Sequence, residues 1–166
     1  GRGDVNTYAL FAELFSKLTH MRGRVGMIVK TGIATDATWA PFFSDLIAKK
    51  RISSLFDFEN RKPLFTAVDS RERFCLLTLG HMEANATFAF FLLEPSDLHQ
   101  PERVFSLPAE QIKKLSPNTG TAPVFRTRED ALLTAKIYNR LPILIDKSVA
   151  GKGNPWVVSL RTMLHK

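Results

Sequence analysis

A basic segment around one phenylalanine is the part of this 166-residue sequence whose residue types best suit chemistry on a polyanion. Four cations bracket Phe65, namely Arg61, Lys62, Arg71 and Arg73. Cations of this kind hold phosphates, and an aromatic ring offers a surface on which a nucleic-acid base can stack. The pattern therefore predicts a nucleic-acid contact. The alternative is that Phe65 folds back into the core while the four cations are solvated.

Two carboxylates, Asp57 and Glu59, flank Phe58 at the end of a predicted strand, where α/β proteins often place site residues. A hydrolase that uses either acid is one hypothesis, but no nucleophile or base can be named as its partner. A solvated strand end is the plainer interpretation. Cys75 stands between two apolar residues and is interpreted as a small core residue rather than a nucleophile.

Metal and phosphate-loop chemistry find little support in the sequence. The histidines are too dispersed to form a metal set: His20, His81, His99 and His165. A single cysteine excludes both an intramolecular disulfide framework and a cysteine-rich zinc site, and it favours a cytoplasmic location. The short glycine pairs lack the preceding strand and the spacing of a phosphate-binding loop. We expect no metal.

The net charge of +7 and the pI of about 9.8 favour polyanionic partners, although the charge is spread over both halves of the chain. Hydrophobic residues make up 45% and charged residues 23%, an ordinary globular composition. No apolar run approaches the roughly 18 residues of a membrane span, so we expect no membrane partner.

Hydrophobic periodicity predicts the elements that must position these residues. Helical spacing predicts helices over residues 7–21 and 39–50, and short apolar runs predict strands over 25–29, 52–58 and 74–79. Alternating helices and strands with short links are typical of an α/β fold with a mostly parallel sheet. The last two strands have no helix between them, so we predict that they form an antiparallel hairpin at the sheet edge.

The second half of the chain carries weaker signals. Residues 87–93 predict another strand, residues 104–105 a short one, and residues 108–115 a short helix. A capping box that begins at Thr127 predicts a helix to about Leu141, with four apolar side chains inward: Leu133, Ile137, Tyr138 and Leu141. We divide the chain into residues 1–83 and an appended α+β segment, residues 84–166.

Several segments, in order, resemble a known family. They are DVNTYALFAE at 4–13, GRVGMIVKT at 23–31, LFDFENR at 55–61, LFTAV at 64–68 and RFCLLTL at 73–79, and FSLPAE at 105–110 and PVFRTR at 123–128 follow. Together they look like the later part of the large bacterial adenine-specific DNA methyltransferases of restriction-modification and phage-defence systems. Those enzymes methylate the exocyclic amine of a flipped adenine with S-adenosylmethionine.

The resemblance implies that residues 1–83 are the C-terminal half of a Rossmann-like catalytic domain, and that residues 84–166 lead toward target recognition. The family's glycine loop and its Asn-Pro-Pro-aromatic motif have no counterpart here. Asn154-Pro155-Trp156 lacks the second proline and is interpreted as a local turn. The chain, which begins at Gly1 without a methionine, would thus be an inactive fragment. Its expected partners are double-stranded DNA and the upstream half of the same polypeptide, which would bind most of the cofactor.

The resemblance also implies roles for individual residues. Phe65 matches the phenylalanine that stacks on the extruded adenine, and the stacking replaces part of what the base loses on leaving the duplex. The four cations named above would hold the DNA backbone. Lys30 and Thr31 would lie in a substrate-side loop, and Tyr8 matches an aromatic in a helix near the catalytic loop. Lys30 and Thr66 stand where the family more often has proline.

A free-standing, non-enzymatic α/β module that binds nucleic acid or a partner protein fits the composition equally well. The two hypotheses differ in what they predict for the fold. A fragment should show an open sheet edge and an exposed apolar face where its missing half would pack. A free-standing module should have its sheet covered by other parts of the same chain.

Overall fold

Five strands form one mixed sheet in the computed structural model, which describes residues 6–147, 149–151 and 153–159. The strands are β1 (Val25–Lys30), β2 (Ile52–Glu59), β3 (Arg73–Leu79), β4 (Ala86–Leu92) and β5 (Phe105–Leu107). The α-helices are α1 (Thr7–Leu18), α2 (Gly32–Thr35), α3 (Ala40–Ala48), α4 (Ala109–Leu115) and α5 (Arg128–Arg140). Two 3₁₀ turns lie at Ala37–Trp39 and Pro95–His99. The predicted α/β class is confirmed.

The strand order is β1-β3-β2-β4-β5, and three of the four pairings are antiparallel. The expectation of a mostly parallel sheet is therefore wrong, because only β2 and β4 pair in parallel. The predicted β2–β3 hairpin is confirmed, but it is not at the edge of the sheet. Strand β3 lies between β1 and β2 and runs against both, while β2 pairs with β4 on its other side.

This order makes β1, β2 and β4 point the same way, so that their carboxyl ends meet at one edge of the sheet, which we call the carboxyl edge. Strand β3 begins at this edge with Arg73. The carboxyl ends of parallel strands are where α/β folds usually build ligand sites. The predicted boundary at residue 84 falls between β3 and β4, and the strands after it extend the same sheet.

The main core lies between one face of the sheet and the helices. Its buried members include Leu55, Leu77 and Phe88 from the strands and Phe43 and Leu46 from α3. A smaller cluster on the opposite face joins Phe58, Ala89 and Leu92 to partly buried neighbours. Both faces of the sheet thus contribute to packing, but most of the buried volume lies on the helix side.

The apolar stripes of α1 and α5 face outward, so the inward packing predicted for the α5 side chains is wrong. Helix α1 buries Ala9, Ala12 and Ser16, and α5 buries Ala131 and Ala135. The stripe side chains of α5 are half-buried or exposed, including Leu133 at 56% and Ile137 at 43%. Helix α1 packs on β1, the edge strand, so only its narrow small-residue side is covered.

Candidate functional site

A buried carboxylate organises the carboxyl edge. Asp57, near the end of β2, is 0% exposed. Its Oδ1 accepts hydrogen bonds from the Thr31 hydroxyl at 2.6 Å and from Arg73 Nε at 3.2 Å. Its Oδ2 accepts from the Phe91 N–H at 3.0 Å and from Arg73 Nη2. A buried charge is tolerated only when it is paired and hydrogen-bonded in this way. The solvated strand end expected for Asp57 is therefore wrong.

A bulge in β4 supplies one of those donors. Phe56 of β2 pairs with Ala89, but Phe58 pairs with Leu92, so β4 carries an extra residue opposite Asp57. At this bulge Phe91 has φ 59°, a left-handed conformation that bulky residues seldom adopt. The strain at Phe91 occurs where its N–H meets the buried carboxylate. Backbone strain of this kind clusters at functional sites.

Asn60, the residue after β2, shapes the loop that carries Phe65. Its buried side-chain amide donates to the carbonyl oxygens of Phe65 and Val68, each at 2.9 Å. Its Oδ1 accepts from the Phe65 N–H at 3.1 Å. Sequence reasoning missed Asn60. The available signal was an amide placed directly between an apolar strand and a polar loop, a position at which asparagine often organises turns.

Phe65 lies at the surface of this loop. Its ring meets Phe74 edge-to-face, with the centroids 4.9 Å apart, and the residue is 40% exposed. Phe74 in turn stacks on Phe58 of β2 at 5.5 Å. The ring of Phe65 is thus supported from below by two further rings while part of it remains open to solvent.

Each of the four cations predicted to hold DNA phosphates makes an ion pair. Three of them are exposed, and they pair as Arg61–Glu59 at 2.8 Å, Lys62–Glu94 at 3.0 Å and Arg71–Asp69 at 2.9 Å. Hydrogen bonds from Arg71 lower the pKa of Asp69. The Lys62 and Arg71 pairs are exposed on both sides and weak because water screens them, so a phosphate can replace the carboxylate there. Arg61 is equally exposed, but its partner Glu59 is only 17% exposed. Arg73 differs, since it is half-buried and held by Asp57.

The predicted substrate-side residues also lie at the carboxyl edge. Lys30 ends β1, and its Nζ pairs with Glu72 at 3.0 Å in an exposed position. Thr31 is buried and bound to Asp57. Tyr8 packs against the main core and meets Trp39 edge-to-face, and burial raises its pKa. Asn154 closes a local turn through two hydrogen bonds to the Val158 backbone.

Cys75 lies in β3 directly opposite Asp57, fully buried in the main core. Burial, with a further contribution from the Asp57 charge, raises the pKa of its thiol to about 12. We expect the native thiol to resist an aromatic disulfide reagent at mildly alkaline pH and to react fully in concentrated denaturant. In the unfolded chain the thiol ionises at a lower pH than in the folded protein. The free energy of unfolding should therefore fall as the pH rises from about 9 toward 12. Rapid labelling of the folded protein would contradict this.

No protein-family model matches the chain, and no curated protein matches it. Within the described ranges, no three His, Cys, Asp or Glu side chains come together as a metal-binding group. Across the same ranges, no helix has the length and apolarity needed to cross a membrane. The arrangement at the carboxyl edge therefore has to be interpreted from its own chemistry.

Proposed function

We propose that this chain is the C-terminal part of an adenine-specific DNA methyltransferase of the restriction-modification or phage-defence type, and that it does not transfer methyl groups alone. The joined protein would methylate the exocyclic amine of a flipped adenine. This chain would contribute the base-stacking ring, cations for the DNA backbone and part of a Rossmann-like sheet.

The observation that carries the proposal is an uncovered edge and face around β1. Among the described residues, no strand pairs with the outer edge of β1. Beside it, α1 exposes an apolar stripe in which every side chain is 40–71% exposed: Leu10, Phe11, Leu14, Phe15 and Leu18. Met21, just beyond the helix, is exposed as well. Ile28 of β1 is itself 58% exposed. Open edges and large apolar patches are normally covered, which supports a sheet that continues into an upstream half.

The carboxyl edge supports the assigned roles. Phe65 would stack on the adenine that leaves the duplex, since its ring is held by Phe74 and is open on its other side. Arg61, Lys62 and Arg71 would exchange their carboxylate partners for phosphates. Arg73, also predicted to hold the backbone, is bound to Asp57 and would act first as a support for the strand ends.

S-adenosylmethionine, the cofactor implied by the resemblance, does not fit the described residues as they stand. Both oxygens of Asp57 already accept hydrogen bonds within the chain, and Thr31 is one of the donors. The Asp57 carboxylate therefore has no free acceptor site for a ribose hydroxyl. In the proposal the upstream half binds the cofactor, and we derive no step through it.

The same observations are also compatible with the second candidate function, a free-standing binding module. The exposed cations beside Phe65 would be sufficient for a non-enzymatic module that binds nucleic acid, and a protein partner could cover the α1 stripe. The deciding experiment is to read the coding sequence upstream of the Gly1 codon. We expect an in-frame glycine-loop strand and an Asn-Pro-Pro-aromatic motif. A start codon adjacent to Gly1 would overturn the fragment hypothesis.

The isolated chain is expected to self-associate through the α1 stripe in a concentration-dependent manner, because this apolar surface lacks its cover. The double substitution Phe11→Lys with Leu14→Lys should shift the chain toward monomer in sedimentation velocity. Its matched control is Leu132→Lys with Leu133→Lys, since both are similarly exposed on α5. The control should associate as the wild type does. A wild-type chain that stays monomeric at high concentration would favour the free-standing module.

A further inference from the structure

Arg126 is a cation of the carboxyl edge that sequence reasoning did not single out. Its guanidinium lies 4.2 Å from the centroid of the Phe91 ring, and the residue is exposed. It makes no ion pair with any residue that the structure describes, in contrast to the four cations considered above. We propose that Arg126 is a further phosphate-binding position that takes a backbone phosphate of DNA. The inference rests on the proposed function, in which DNA is the partner.

The backbone on either side of Arg126 is fixed before any ligand arrives. The preceding Phe125 packs edge-to-face on Phe105, with the centroids 5.8 Å apart. Two residues later, the Arg128 N–H donates to the Glu102 carbonyl at 2.6 Å. Cation–π contact with Phe91 restrains the guanidinium itself. A side chain restrained in this way loses little conformational freedom on binding, which favours affinity.

Three guanidiniums but only two paired carboxylates lie around Phe91, so the positive charge of Arg126 is in excess. The other two guanidiniums that touch Phe91 are each paired with a buried carboxylate, as Arg73–Asp57 and Arg103–Asp97. Arg126 therefore adds one positive charge that no carboxylate of the described residues neutralises. A guanidinium presents a planar array of donors that matches two oxygens of a phosphate.

The position of Phe91 places this charge on the same edge as the base-stacking ring. Phe91 lies near the carboxyl end of β4. Lys62, in the loop that carries Phe65, pairs with Glu94 just beyond the same strand. Lys62 thus brings the loop to the end of β4 near which Phe91 lies. The Phe91 ring packs with the main core, whereas Phe74, which supports Phe65, packs on the opposite face of the sheet. A phosphate on Arg126 would therefore lie at the same end of the sheet as Phe65.

The test is a salt titration of binding to a labelled DNA duplex. Arg126→Ala should weaken binding and lower the slope of log K against log salt by about 0.9, the value for one phosphate contact. Arg126→Lys keeps the charge and should retain most of the slope. Arg140→Ala removes an exposed arginine from the far end of α5 and should change neither quantity. Thermal unfolding checks that every variant is folded.

The outcomes separate this inference from the proposed function. If Arg126→Ala binds DNA with the same slope of log K against log salt as the wild type, the assignment of Arg126 is wrong but the proposed DNA partner stands. A wild-type chain that shows no salt-dependent binding overturns the assignment and the DNA partner together. If inorganic phosphate stabilises the wild type but not Arg126→Ala, while DNA binding is equal in both, the ligand is free phosphate and the DNA assignment is wrong.

Discussion

Replacing Asp57 by alanine is expected to lower the free energy of unfolding by about 3–5 kcal/mol, as does the removal of one partner from other buried ion pairs. The substitution leaves the Arg73 guanidinium without its carboxylate. It also leaves the Thr31 hydroxyl and the Phe91 N–H without their acceptor. The Thr31 hydroxyl would then be buried without a partner, and the half-buried Arg73 guanidinium would lose its counter-charge. Urea unfolding followed by circular dichroism measures the effect.

The matched control lies two residues along the same strand. Glu59 pairs with the exposed Arg61, so Glu59→Ala should change the free energy of unfolding by no more than about 1 kcal/mol. Equal effects of Asp57→Ala and Glu59→Ala would show that the buried network does not organise the edge.

A double substitution keeps the test informative if Asp57→Ala fails to fold. Replacing both partners, as Asp57→Leu with Arg73→Met, removes the unpaired charge and should recover part of the lost stability. The Phe91 N–H and the Thr31 hydroxyl remain unsatisfied in this variant, so the recovery should be incomplete. If the double variant recovers all of the lost stability, the Asp57–Arg73 ion pair accounts for the whole effect, and the hydrogen bonds from Thr31 and Phe91 contribute nothing.

The elements of the fold were predictable because their signals are local. The strands predicted over 25–29, 52–58 and 74–79 appear as Val25–Lys30, Ile52–Glu59 and Arg73–Leu79. Short apolar runs bounded by polar residues are sufficient for this. Strand order was not predictable in the same way. No local pattern indicates that β3 inserts between β1 and β2, and this insertion makes the sheet mostly antiparallel.

The orientation of α1 shows a second limit. The apolar spacing from Leu10 to Leu18 correctly indicates a helix with one apolar face, although the helix ends at Leu18 and not at the predicted residue 21. Periodicity identifies the face that favours burial, but it does not say which segment covers it. In the structure Ala9 and Ala12 pack on β1, and the larger side chains stay exposed. The exposed stripe is the surface that the proposed upstream half would cover.

The site was only partly predictable because its contacts are distant in sequence. Asp57 is 26 residues from Thr31, 16 from Arg73 and 34 from Phe91. Residue type alone suggested a solvated acid. Phe65 and its flanking cations were predicted as a site because an aromatic between basic residues is a local signal, and that role stays a prediction. Arg126 was not predicted because its contact with Phe91 joins residues 35 positions apart in the chain.

Phe65→Ala should reduce DNA methylation by the joined protein roughly 10- to 100-fold, since stacking contributes about 1–3 kcal/mol per base. Folding should be little affected, because Phe65 is 40% exposed. The loop should also keep its shape, since Asn60 bonds to the backbone of Phe65 and not to its side chain. A loss of methylation in Phe65→Ala would therefore be due to the missing ring and not to a change in the loop.

Two variants and a second readout separate stacking from loop packing. Phe65→Leu keeps an apolar contact for Phe74 but removes the ring face, so it should behave as Phe65→Ala does. Val68→Ala alters the same loop at a similarly exposed position, 43%, and should leave methylation unchanged.

A second readout uses this chain alone. It compares the affinity of the chain for a duplex that contains one unpaired adenine with its affinity for a fully paired duplex. Phe65 should confer a preference for the unpaired base because that base has already left the stack. If Phe65→Ala retains the preference, Phe65 does not receive the base, and the cations of the carboxyl edge bind DNA only through its backbone.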